Sequence, residues 1–439
     1  MRAVLFLLLA ATAAPAAWKA GASKVEITPK EPVWLAGYGS RTQPSEGVRQ
    51  PIYVKALALE DSTGARSLLL TFDLLGLDQG TARIIAESVQ KRFGIPRERV
   101  AMVASHTHSA PVAGTVLLPA YPLEASHVAV IERYTDWMLE RVTEASEQAV
   151  RALAPATLHF GQGFAGFAVN RRRVGNRARP GPVDHDVPVL GVKGSEGRWR
   201  AIVFGYACHA TVLSDNQVSG DWPGYAQAAI ERDHPGAVAL FVTGAGADSN
   251  PLPRRAVALA ERYGETLGYE VADVLKQKLV DVAEPLRAAY REVDLPFSEA
   301  PKRAIWEDRA KTGENHMVRN HARAMLAMIE RNGKLPERYP YPVQVWRFGN
   351  QMKMIILGGE LVVDFAHRFK GEYGADDTWI AGYANDVFAY IPSLRVLREG
   401  GYEGGGAMIP YGQPSPFRWP VEEIIAETVD QLITATAAP

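Results

Sequence analysis

Six short apolar runs punctuate this chain: SLLLTF (67–72), RVAMVAS (99–105), RAIVFGYA (200–207), AVALFVTG (237–244), MKMIILGG (352–359) and TWIAGYA (378–384). Each is bounded by Gly, Pro or charge and is too short for a buried helix, so each reads as a strand. Between them lie amphipathic patterns at 81–93, 128–153, 255–279 and 421–437, with apolar residues recurring at three and four. Strands alternating with helices bury their apolar faces as helices packed on sheets, which predicts an α/β fold with mixed β-sheets and flanking helices. The run 301–335 is more charged and reads as a helical excursion on the surface. No repeat and no clear linker divides the chain. Two long loops stand out: the basic VNRRRVGNRARPGP (169–182), and GGYEGGGAMIPYGQPSPF (400–417). Tyr402 and Tyr411 make the second an expected ordered active-site loop.

Composition narrows the function. Forty-eight basic against forty-nine acidic residues leave a net charge of -1, which sets up no field for nucleic acid or an anionic membrane. A hydrophobic content of 47% suffices for a large core. The single cysteine, Cys208, rules out an intrachain disulfide and reads as a small core residue. The start, MRAVLFLLLAATAAPAAW, combines Arg2, an apolar segment and small residues at Ala14, Ala16 and Ala17. Residues 1–17 therefore read as a signal peptide and 18–439 as one exported domain, periplasmic or secreted, with no transmembrane segment in the mature chain.

The polar residues collect at one kind of place. Asp73, His106 with His108, His209, Asp248 and Glu360 each follow the C-terminal end of an apolar run, where open α/β sheets bind ligands. A polar residue at one strand end is ordinary, but several histidines with a glutamate point to a shared site. In an extended strand, alternate residues face the same side, so His106 and His108 are expected to share a pocket with Thr107 turned away. Together with His209 and Glu360 they offer nitrogen and carboxylate donors suited to Zn²⁺. Spacing alone leaves a metal site and an acid–base pair both open. His316 and His321 do not share a helical face, and His127, His159, His185, His234 and His367 lack a local partner.

The order of several motifs carries a resemblance. ASKVEITPKEPVWLAGYGSR, SHTHSAP, the VNRRR loop, CHATVLSDNQVSGDWPGYA, FVTGAGADSNP, GGEL, GYANDVFAYIP and GGYEGG occur as they do in the neutral (alkaline, non-lysosomal) ceramidase family, from about residue 20 to 420. The resemblance implies a neutral-ceramidase-like catalytic domain without the family's C-terminal immunoglobulin-like domain. It implies a zinc site of His106, His209, Glu360 and Tyr390, with His108 beside it to handle a proton, and Arg171 and Tyr402 at the scissile amide. The substrate side departs from the pattern. Asn250 stands where the family carries a serine, with Asp248 and Ser249 next to it, and Ala110-Pro111-Val112 replaces a glycine-rich stretch. Asp221 reads equally as a carboxylate supporting a ligating histidine or as a helix N-cap. The implied function is an exported zinc amidohydrolase acting on ceramide or a related N-acylated amine, a small or lipid-like substrate. The alternatives are a zinc hydrolase of an ester or carbohydrate derivative and a zinc-bearing periplasmic binding protein.

Overall fold

In the strand Arg66–Phe72, Leu68, Leu70 and Phe72 enter one core while Leu69 enters another, since successive side chains point to opposite faces of a sheet. Such a strand must be covered on both sides, and the architecture follows from that need. The computed structural model describes residues 18–173 and 180–437. The signal-peptide reading of 1–17 and the middle of the basic loop lie outside the described residues.

The larger sheet has nine strands. Its path runs Val238–Thr243, Trp199–Tyr206, Asp186–Gly194, Ala154–Phe164, Trp18–Glu26, Tyr53–Glu60, Arg66–Phe72 and Val100–Ala104, with Val280–Val282 paired to Ala154–Phe164. Both ends of this path are parallel pairs and its middle is antiparallel. A second sheet holds Leu286–Pro296, Arg338–Phe348, Met352–Leu357 and Thr378–Ala381, the last two parallel. The sheets stack face to face through Leu69, Val103, Val203 and Leu240 from one and Trp346, Met354, Ile356 and Trp379 from the other. Helices Gln79–Phe93, Ala125–Arg151, Asp221–Asp233 and Val257–Lys276 cover the outer face of the large sheet. Asp364–Tyr373 and Val421–Ala435 cover that of the small one. The result is a helix–sheet–sheet–helix sandwich of the expected mixed α/β class.

All six apolar runs form strands and all four amphipathic patterns form helices. The first helix starts at Asp78, whose side chain accepts from Thr81 N, and stops at Gly94 in the left-handed conformation. The charged run becomes the helices Arg303–Thr312 and His316–Asn332 around a small core of Trp306, Ala322 and Met325. The glycine-rich stretch is ordered as the short turns Gly401–Gly404 and Gly406–Met408. Cys208 is buried. Among the described residues no helix is long and apolar enough to cross a membrane.

Backbone bonds join the two sheets where their parallel strands end. Ala104 N donates to Tyr383 O (3.2 Å), Asn385 N to Met102 O (2.7 Å) and Gly382 N to Thr243 O (2.8 Å). The loops leaving both sheets therefore share one rim. Trp379, sandwiched between the sheets with its ring 6.4 Å from that of Phe160, is central to this union. Trp379→Ala is expected to cost about 3–5 kcal/mol in urea denaturation; a loss below about 1 kcal/mol would contradict its place in the shared core.

Candidate metal centre and active site

The strand Val100–Ala104 stops before the histidines, and His106 takes a left-handed backbone with φ 58°, rare for a residue other than glycine. This corrects the expectation that strand alternation pairs them. The turn is held by Ser105 N on Phe72 O (2.8 Å) and His108 N on Ala210 O (3.2 Å), while Thr107 Oγ1 donates to Ser219 O (2.9 Å). The two imidazoles still meet, with Nε2 atoms 3.3 Å apart, and Thr107 still points elsewhere.

His209 arrives from the end of Trp199–Tyr206, its N–H bonded to Ser249 O. His106 Nδ1 lies 2.7 Å from Leu75 O and His209 Nδ1 lies 2.9 Å from Gly246 O. A carbonyl only accepts, so each Nδ1 carries a proton and, in the neutral ring, each Nε2 presents a lone pair. Glu360 and Tyr390 are register partners in a two-residue parallel pairing, Glu360–Leu361 with Tyr390–Ile391. Gly359 makes this possible: it has φ 70°, and a Cβ there would sit 2.6 Å from Ile391 and 2.8 Å from Ala389 O.

Glu360 Oε2 lies 3.2 Å from Nε2 of both His106 and His209, and Tyr390 Oη lies 3.2 Å from His209 Nε2. Tyr411 Oη donates to Oε1 of the same carboxylate, whereas Oε2 is buried without a hydrogen-bond donor among the described residues. Lone pairs converging with no proton between them suit a cation at that point. His106, His108 and His209 also bring ligand atoms within 4.8 Å of one another. His108 differs from the other two, because its Nδ1 has no partner among the described residues.

A cavity of about 610 Å³ opens beside this cluster, with His108, Arg171, Asn250 and Tyr402 in its wall. Arg171 N donates to Asp248 O (2.7 Å), its Nε to Glu403 Oε1 (2.6 Å) and its Nη2 to Tyr390 Oη (3.0 Å). Asn250 Oδ1 is buried in the wall without a donor among the described residues. Of the three neighbours expected to face substrate, only Asn250 lines the cavity. Asp248 is occupied by Val363 N (2.9 Å) and Asn170 Nδ2 (2.8 Å), and Ser249 is buried behind the wall. Asp73 lies elsewhere, bonded to Tyr53 N and Gln227. Asp221 accepts from Leu213 N and Trp222 N and touches no ligating imidazole, so its role is at the helix start.

A sequence profile described as neutral/alkaline non-lysosomal ceramidase, N-terminal, matches residues 18–250. The chain belongs to this family. The neutral ceramidase of Pseudomonas aeruginosa is 26% identical over 243 residues, covering 52% of this chain and 36% of that relative. The match therefore spans about a third of the relative's length. The crystal structure of neutral ceramidase from Pseudomonas aeruginosa superposes with a TM-score of 0.75 at 20% identity, covering 96% of this chain and 74% of that one. A ceramidase complexed with C2 gives a TM-score of 0.73 at 17% identity, over 96% and 75%. The layered sandwich is thus the fold of the ceramidase family.

Sequence reasoning missed several residues that support this ceramidase-family site. Arg41 donates to the carbonyl of His108 (2.8 Å), and Tyr383 lies against His106 with ring centroids 4.4 Å apart. Gly37, at φ 97°, has the His108 ring where its Cβ would be, 2.4 Å away. Gly37 and Arg41 are the first and last residues of GYGSR, where only the motif order gave a signal.

Electrostatics keeps the cluster ready to donate lone pairs. Burial and then the Arg171 charge pull His209 down to about 4. Burial and the neighbouring imidazoles hold His108 well below its ordinary value, so it is neutral near pH 7. Burial raises the Tyr390 hydroxyl despite the opposing Arg171. An unfolded chain takes a proton on histidine at 6.5, whereas His209 takes one only near 4. Between those values the unfolded state holds more protons, so stability falls as pH falls. The metal-free chain is expected to lose up to roughly 3 kcal/mol from His209 between pH 6.5 and 4. A melting temperature flat across that window would contradict a buried neutral imidazole.

Proposed function

We propose that this chain is an exported, zinc-dependent amidohydrolase that cleaves ceramide or a related N-acylated amine within one domain spanning 18–439. One observation carries the reading: His106, His209, Glu360 and Tyr390, from four separate segments, converge on one buried point beside an open cavity. Two imidazoles, a carboxylate and a phenol form a donor set suited to Zn²⁺, and the family resemblance implies the same four. When bound there, zinc supplies Lewis acidity that polarises a carbonyl and makes water more acidic.

The protein's own groups do the remaining work. Neutral His108 Nε2 accepts the proton of the attacking water and returns it to the departing amine nitrogen. Arg171 and the Tyr402 hydroxyl donate to the carbonyl oxygen as charge builds there. Asn250 Oδ1, unpartnered in the wall, accepts the amide N–H of the substrate. The absent serine at position 250 removes a side-chain nucleophile and leaves water as the attacking group. A second reading keeps the metal and changes the bond to an ester or a carbohydrate derivative, supported by the polar cavity wall and Asn250. A binding protein without turnover gives no role to His108.

The test is metal analysis followed by assays on N-acylsphingosines of several chain lengths, short N-acyl amines and acetylated sugars. Glu360→Gln is expected to lose zinc. His108→Ala is expected to keep zinc and lose about 10²–10⁴ in kcat; full turnover by that variant, or no amide cleavage by zinc-loaded wild type, overturns the reading. Gly37→Ala, whose methyl needs the space of the His108 ring, is expected to retain metal and lose at least about tenfold in kcat by displacing the proton-handling group. Wild-type kcat in that variant would show that the position of His108 is immaterial.

A further inference from the structure

Among the described residues the wall of the cavity carries no aliphatic side chain, and four of those residues are arginines: Arg171, Arg172, Arg254 and Arg255. Two of these are neutralised. Arg171 Nε and Arg172 Nη1 share the carboxylate of Glu403, and Arg172 Nη2 reaches Glu399 at 3.1 Å. The other two are not. Among the described residues Arg254 and Arg255 make no ion pair; Arg254 feels the repulsion of Arg255 and Arg171 against the opposing Tyr38 hydroxyl, and Arg255 feels the buried carboxylate of Asp221 without pairing with it.

Arg255 is also held against its backbone preference. It sits at φ 83°, with its N–H bonded to Val212 O at 2.8 Å, a conformation costly for a side chain with a Cβ. Its Nη1 donates to Tyr38 Oη (3.0 Å), and Tyr38 in turn donates to Leu213 O (2.8 Å). The Arg255 guanidinium lies 5.1 Å from the centre of the Tyr38 ring, which also has Arg41 at 4.9 Å and His108 at 4.8 Å between centroids. One aromatic ring therefore separates this cation from the residue assigned to proton transfer. A like-charged pair in a cavity wall, partly desolvated and with no ion-paired acid among the described residues, is stabilised when an anion enters. A purely apolar chain gains nothing from such a wall.

We propose that Arg254 and Arg255 form an anion-binding subsite that selects substrates carrying a carboxylate, sulfonate or phosphate on the side of the molecule away from the scissile carbonyl. This rests on the amidohydrolase reading and narrows its substrate to an acidic N-acylated amine rather than a neutral one. The two arginines are specificity residues and take no part in bond cleavage.

The zinc-loaded enzyme is assayed on N-hexanoylglycine, N-hexanoyltaurine and neutral N-hexanoylethanolamine, and its binding of N-hexanoylglycine is titrated by calorimetry. Wild type is expected to favour both acidic amides at least tenfold in kcat/KM. Arg254→Gln and Arg255→Gly are expected to lower that preference at least tenfold, chiefly through KM, with 0.5 M salt acting in the same direction. Glycine relieves the strained backbone at position 255, so the second variant separates loss of charge from misfolding. Equal use of the neutral amide by wild type, or unchanged preference in both variants, overturns the proposal and leaves the hydrolase intact. An effect confined to neutral ceramide in anionic vesicles also overturns it, in favour of membrane docking. If no amide is cleaved, the hydrolase reading fails, and the calorimetric comparison of wild type with the variants still decides the anion subsite.

Discussion

A carboxylate buried between two imidazoles whose protons point away from it is the constraint around which much of this molecule is arranged. Glu360 Oε2 has no donor, and both neighbouring Nε2 atoms offer lone pairs at 3.2 Å. That arrangement persists only if the surroundings fix every ring. Leu75 O and Gly246 O hold the imidazoles, Tyr411 holds the other carboxylate oxygen, and Arg171 holds Tyr390. The left-handed turn at His106 and the glycine before Glu360 are backbone features that the same point requires. Such local strain is kept where surrounding structure overdetermines it.

The face-to-face sheets supply that overdetermination. His106 and His209 leave the nine-stranded sheet, while Glu360 and Tyr390 follow strands of the smaller one. Neither sheet holds the full set. The hydrogen bonds between Ala104, Met102 and Thr243 on one side and Gly382, Tyr383 and Asn385 on the other lock the two sources together. On the open side, acidic residues pair with Arg171 and Arg172, whereas Arg254 and Arg255 have no ion pair among the described residues.

Much of this was legible in the sequence wherever burial is two-sided. Runs such as SLLLTF and MKMIILGG are apolar throughout because both their faces are covered, and they were read as strands. Leu286–Pro296 and Arg338–Phe348 were harder, because charges and prolines interrupt them. The convergence of strand-end histidines with Glu360 was visible as a pattern, but its reason was misread: His106 lies beyond the strand, in a turn that periodicity cannot foresee. Tyr390 was accessible only through motif order, since a tyrosine near a strand end ordinarily packs. Asp73 and Asp248 show the limit of reading polarity at strand ends, for each is consumed by structural bonds.

The dispersal of the cluster along the chain has a thermodynamic consequence. His106, His209, Glu360 and Tyr390 are adjacent only when both sheets are formed and docked, so an ion held among them would bind the native state and ignore the unfolded one. By mass action, occupancy at a thousand times the dissociation constant adds about 4 kcal/mol to folding. Because the donors straddle the sandwich, that energy would fall on the union of the sheets rather than on either alone. Loss of the ion would then loosen the molecule first along the rim that carries its chemistry.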